Sequence, residues 1–194
     1  MTQAIKTDNY FSLLGLPVSF IIDKQTLNNN YHELQRSVHP DKFANASAQQ
    51  RRLSVQKAAQ INDALQTLKN PTQRSIYLLS LYGIELGDNN NSIEPAFLMQ
   101  QMELRESLSQ VNDKADPLTE LDSIMAKVKS LIKQTINTLD DVFASLFQEQ
   151  KVQDQKVQQE QDALLKKATS ETLKMQFLNR LQEECLNKEE DLTA

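Results

Sequence analysis

Apolar residues recur at helical spacing through most of this chain. Leu27, Tyr31, Leu34 and Val38 step by four, three and four, which lines one face of an α-helix. Asp23 is its N-cap candidate, and the helix must end before Pro40, because a residue preceding proline is pushed out of the α region. Ahead of it, Tyr10, Phe11, Leu13 and Leu14 predict a short helix capped by Asp8, ended by Gly15 and kept from resuming by Pro17. A long helix is predicted from about Ala48 to Leu68, with Ala58, Ile61, Leu65 and Leu68 inward. Asn70 and Pro71 then supply an N-cap and a first-turn proline for a fourth helix carrying Ile76, Leu79 and Tyr82. These elements make a helical hairpin, crossed by a short first helix and extended by a fourth.

The pattern changes after residue 82. Residues 83–94, GIELGDNNNSIE, read as a linker, with two glycines and an asparagine run. From Pro95 a helix holds Phe97, Leu98, Met102, Leu104, Leu108 and Val111. Asp116 and Pro117 start another, whose Leu118, Leu121, Met125, Val128, Ile132, Leu139, Val142 and Leu146 keep a near-heptad rhythm. Residues 148–161 are almost wholly polar, either a hairpin tip or a solvated helix end. A last helix returns with Leu164, Ala168, Met175, Leu178 and Cys185. Residues 95–194 are therefore expected to form an elongated three-helix bundle.

Composition agrees with an all-α chain. The 194 residues hold only three glycines and five prolines, and good helix formers dominate. The net charge of −5 is unevenly spread: residues 1–82 carry nine Lys/Arg against five Asp/Glu, and residues 83–194 carry twelve against twenty-one. The two parts should meet different partners. Scattered cations make no dense basic stripe for nucleic acid. No apolar run is long enough to span a bilayer, and no secretion or transit signal is evident, so a cytoplasmic setting is expected. Cys185, the one cysteine, reads as a structural thiol in a reducing compartment.

Candidate chemistry centres on His39, Pro40 and Asp41. A catalytic His–Asp pair needs a pocket and a nucleophile, and neither is marked. A metal site would need more ligands than His32, Glu33 and Asp41 offer, without any metal-binding spacing. No cofactor is implied. Left alone, the tripeptide reads as a turn at a helix C-terminus. What singles it out is its place at the tip between two amphipathic helices, with Arg36 before it, Lys42 after it and Arg51 and Arg52 across the loop.

With that frame, the chain resembles the J-domain family, a four-helix fold with His-Pro-Asp between its second and third helices. The stretches YFSLLGLP (10–17), HPDKF (39–43), INDALQTLKNPTQRSIYLL (61–79), AFLMQQMELRESL (96–108) and QFLNRL (176–181) resemble, in order, the J-domain co-chaperones of iron–sulfur cluster assembly, bacterial type. The resemblance implies a J-domain over 1–82, with 1–7 a loose tail, and a client-binding bundle over 95–194. It implies no enzyme: the chain would stimulate the ATPase of a DnaK-type chaperone, HscA, and deliver the scaffold protein IscU. The chaperone contact carries over to His39, Pro40 and Asp41, with Arg36 and Lys42 as electrostatic supports. The client face carries over to Leu98, Met99, Met102, Glu103, Glu106 and Phe177. Periodicity alone leaves Leu98 and Met102 open between that face and the bundle core. Where the family often has a further acid, this chain has Gln110, and its hairpin between Lys129 and Lys166 is longer than usual. The competing reading is a helical scaffold whose long bundle mediates self-association.

Overall fold

A computed structural model describes residues 9–43, 46–87, 93–149 and 155–193, and all regular structure among them is helical. They fall into two compact units that divide between Glu85 and Leu86.

The first unit holds α1 (Tyr10–Leu13), α2 (Lys24–Val38), a 3-10 turn (Pro40–Phe43), α3 (Ala48–Lys69) and α4 (Pro71–Leu81). Asn9, not Asp8, caps α1: its side chain accepts the Ser12 N–H at 3.0 Å while Ser12 Oγ accepts the Asn9 N–H at 3.0 Å. A reciprocal pair of this kind satisfies two donors that a lone upstream acid cannot; Asp8 itself lies outside the described residues. Gly15 then takes φ +62, where a side chain is strained. Asp23 caps α2 through Gln25 and Thr26, and Asn70 caps α4 ahead of Pro71. The hairpin is tied polar-to-polar on its flank, Tyr31 Oη and Gln35 Nε2 both donating to Asn62 Oδ1. Beneath lie Phe11, Leu14, Phe20, Leu27, Ile61, Leu68, Leu78 and Leu79, all buried. Ala58, Leu65, Ile76 and Tyr82, expected inward, are half-buried; Ala64 and Leu78, one step round their helices, take the core places.

Arg74 is an unusual member of this core. It donates through Nη1 to the Leu68 carbonyl at the C-terminal end of α3 and stacks its guanidinium 5.2 Å from the Phe20 ring. Burial brings its pKa down to about 10.

The second unit holds α5 (Pro95–Ser109), a 3-10 turn (Val111–Asp113), α6 (Pro117–Glu149) and α7 (Gln155–Thr193). Asp116 begins α6 by accepting from the Thr119 N–H and hydroxyl. Leu104, Leu108, Val111, Leu121, Ile124, Val128, Leu181 and Cys185 pack into one cluster. Leu118, in the heptad list, is exposed because it sits in the first turn of α6; Ile124 and Phe143, outside that list, are fully buried. Between Ile132 and Leu139 the heptad slot is filled by buried Thr135, so the apolar rhythm skips a beat there. On α7, Thr169 and Thr172 are also buried, and their hydroxyls donate back to the Leu165 and Ala168 carbonyls. Of the polar stretch 148–161, the segment from Gln155 continues α7, and Gln161 is buried; 150–154 lie outside the described residues.

Candidate functional site

The tip of the first unit is made by a helix that cannot continue. α2 ends at Val38, His39 is its C-cap with extended φ −59, ψ 135, and Pro40 opens the 3-10 turn. The Lys42 N–H donates to the His39 carbonyl at 3.0 Å, closing the turn on the backbone. The Asp41 N–H donates to His39 Nδ1 at 3.3 Å, and Asp41 Oδ2 lies 3.5 Å from the same nitrogen. These contacts are alternatives: a neutral imidazole accepts the amide at Nδ1 and keeps its hydrogen on Nε2, whereas an ion pair needs Nδ1 protonated. The His39 side chain is 58% exposed and that of Asp41 89%. Polar groups that solvated lack the enclosure that acid–base catalysis uses. Arg36, Lys42, Arg51 and Arg52 are exposed around the turn. The loop is closed on its far side by Ser47, which caps α3 in a box with Gln50.

In the second unit, α5 presents two unlike faces. Phe97, Gln101, Leu104 and Leu108 are buried. On the other side Leu98 is 41% exposed, Met99 63% and Met102 71%, with Glu103, Glu106 and Gln110 exposed beside them. Leu98 and Met102 therefore stand outside the bundle core. Gln110 donates to Glu106 Oε1 at 3.3 Å, so it extends the polar edge without adding charge. Phe177 is half-buried on α7, lining a cleft of about 350 Å³ with Leu86, Gly87, Ile93, Leu173, Gln176 and Arg180. Leu86, Gly87 and Ile93 belong to the stretch read from sequence as linker.

Met99 and Glu103 also rim a larger cleft of about 660 Å³ between α5, α6 and α7. On its wall sit Lys174 and Glu171, 2.8 Å apart, with side chains only 13% and 12% exposed. Sequence reasoning singled out neither residue; their i,i+3 spacing was the one available signal. Among the described residues, no three His, Cys, Asp or Glu side chains are grouped to hold a metal ion, and no helix is long and apolar enough to cross a membrane. Cys185 is buried, and burial together with neighbouring Glu184 raises its thiol pKa. A thiol held protonated is a packing group, not a nucleophile.

An antiparallel helical hairpin with His-Pro-Asp at its turn defines a J-domain, and the family model for the DnaJ domain matches residues 9–77. A second family model, the HSCB C-terminal oligomerisation domain, matches residues 93–185. A co-chaperone protein HscB homolog from Shewanella baltica is 40% identical over 185 residues, 95% of this chain and 98% of the relative. Another, from Vibrio atlanticus, is 46% identical over 138 residues, covering 71% and 81%. The solved chaperone HscB from Vibrio cholerae superposes with a TM-score of 0.77 at 40% identity, over 95% of this chain and 99% of that one. Human co-chaperone protein HscB gives 0.77 at 29% identity, over 94% and 83%. This chain belongs to the HscB family of J-domain co-chaperones. It is a helper protein and not itself an enzyme, and its J-domain implies a DnaK-type chaperone as partner.

Proposed function

We propose that this chain activates the ATPase of the DnaK-type chaperone HscA and delivers to it the scaffold protein IscU during iron–sulfur cluster maturation in the cytoplasm. His39, Pro40 and Asp41 form the chaperone contact, with Arg36 and Lys42 adding attraction to an acidic partner surface. Leu98, Met99, Met102, Glu103, Glu106 and Phe177 form the client face. The observation that carries the reading is the His-Pro-Asp turn at the tip of the hairpin, closed by the Lys42 N–H on the His39 carbonyl, with the His39 and Asp41 side chains exposed. The unequal charge of the two halves supports separate partners, because charge complementarity sets encounter rate and partner choice. Exposed methionines suit a client surface, since their side chains adapt to a partner's shape. Exposed Leu98, Met99 and Met102 on one helix are also an apolar patch with no core to serve.

The test is steady-state ATP hydrolysis by HscA with and without this chain. Wild type should stimulate, and His39→Gln should not, at unchanged helical content. Equal stimulation by the variant would sink the chaperone contact. A second reading, self-association through the bundle, is favoured by the name of the matching C-terminal family model. Sedimentation of the chain alone separates the two: a concentration-dependent dimer that resists Leu98→Ala with Phe177→Ala belongs to that reading.

A further inference from the structure

α5 is a short helix whose N-cap, Glu94, makes no side-chain capping bond among the described residues. Its 15 residues fall in the range where an isolated helix is marginal, so its position depends on what α6 and α7 do to it. Two charged anchors cross from α7. Near the start of α5, Lys174 Nζ reaches Glu94 Oε2 at 3.6 Å and lies 5.7 Å from the Phe97 ring centroid, while Glu171 holds the same ammonium from below at 2.8 Å. Towards its end, Arg105 makes a two-pronged bond to Glu184, Nε to Oε2 at 3.2 Å and Nη2 to Oε1 at 3.0 Å.

Both anchors join residues about 80 apart in sequence, the second at a separation of 79. Nearly equal offsets, 80 and 79, at two levels mean that α5 and α7 run parallel in one register. Leu98 lies two turns before Arg105, and Phe177 lies two turns before Glu184, each on the stripe of its own anchor. The register therefore sets Phe177 opposite Leu98. A slip of α5 by one turn would pair Phe177 with Met102 or Glu94 instead.

We infer that Lys174 and the Arg105–Glu184 pair are positioning residues: they lock α5 on α7 in the register that joins Leu98 and Phe177 into one client-binding surface. The two anchors differ in strength. Lys174 is largely buried, and removing its charge leaves Glu171 without its partner in a site only 12% exposed. The Arg105–Glu184 pair is 42% and 44% exposed, where an ion pair contributes little to stability but its bidentate geometry still sets direction.

This rests on the client face proposed above, and the test keeps the two apart. IscU affinity is measured by titration for full-length variants, alongside helical content and HscA stimulation in the absence of IscU. Lys174→Met should weaken IscU binding by at least about fivefold, because binding must then order α5, while Lys174→Arg, which keeps the charge over Phe97, should restore most of it. Arg105→Glu and Glu184→Arg should each weaken binding, and the double exchange should recover it, with a coupling that single losses of charge cannot produce. HscA stimulation without IscU should stay at the wild-type value throughout. Wild-type IscU affinity in Lys174→Met, or no recovery in the double exchange, overturns the positioning role if Leu98→Ala with Phe177→Ala does weaken binding. Unchanged affinity in that last variant overturns the client face, and the positioning role with it.

Discussion

The two units use opposite strategies to present a surface. The tip of the first unit offers polar groups on a backbone held by a hydrogen-bonded turn and a proline, although Leu53 and Val55 further along α3 are exposed. The α5 face offers apolar side chains from a helix that has only one further apolar face with which to hold itself in place. A partner reading the tip meets a preorganised turn. A partner reading α5 meets adaptable methionines and relies on neighbouring helices to hold them. Damage to the first surface should therefore come from changing a contact residue. Damage to the second should come equally from residues outside the proposed client contact.

Four variants test this contrast. The largest stability effect is expected between neighbours on α5. Leu104→Ala opens a cavity in the bundle cluster and should cost about 2–5 kcal/mol, whereas Leu98→Ala, six residues earlier and exposed, should stay within about 0.5 kcal/mol. Denaturation followed by far-ultraviolet circular dichroism gives both numbers. All four tyrosines (Tyr10, Tyr31, Tyr77 and Tyr82) lie in the first unit and the chain has no tryptophan. Tyrosine fluorescence thus reports the first unit alone, and should not move with Leu104→Ala if the units unfold separately.

Next in size is Gln101→Leu. Both polar atoms of the Gln101 amide are buried without a hydrogen-bond partner among the described residues. Replacing it with an apolar group of similar size should raise bundle stability by about 1–2 kcal/mol. A fall in the unfolding midpoint would show that the amide is held by something the fold needs. The smallest effect is expected at the Asp23 cap. The Thr26 hydroxyl, with the Thr26 and Gln25 N–H groups, draws the Asp23 pKa below its ordinary 3.8. A lowered acid stabilises above its unfolded pKa, and that contribution is lost as pH falls through the folded value. Asp23→Asn should keep the cap and flatten this part of the acid limb, read by tyrosine fluorescence between pH 5 and pH 2; an unaltered profile would remove Asp23 from it.

The contrast also explains what could be read before the structure. The hairpin was legible because helix stops are local: Pro40, Asn70–Pro71 and Gly15–Pro17 act within a few residues of themselves. His-Pro-Asp was legible for the same reason, being contiguous. The α5 face was not, because its apolar residues run round more than one side, so periodicity left Leu98 and Met102 undecided until their exposure was known. Asn9 was missed as the cap of α1 because Asp8 beside it has equal propensity, and only the reciprocal bond with Ser12 separates them. Lys174 was invisible for a different reason. Its partners Glu94 and Phe97 lie about 80 residues away, and no local pattern encodes the register of α5 on α7.

Whether the two surfaces act separately is decided by HscA ATP turnover with His39→Gln and with Leu98→Ala plus Phe177→Ala, each measured with and without IscU. His39→Gln should give unstimulated turnover in both conditions. The double variant should stimulate fully alone and lose only the increment that IscU adds. Full stimulation by His39→Gln, or loss of IscU-free stimulation in the double variant, would contradict separate action.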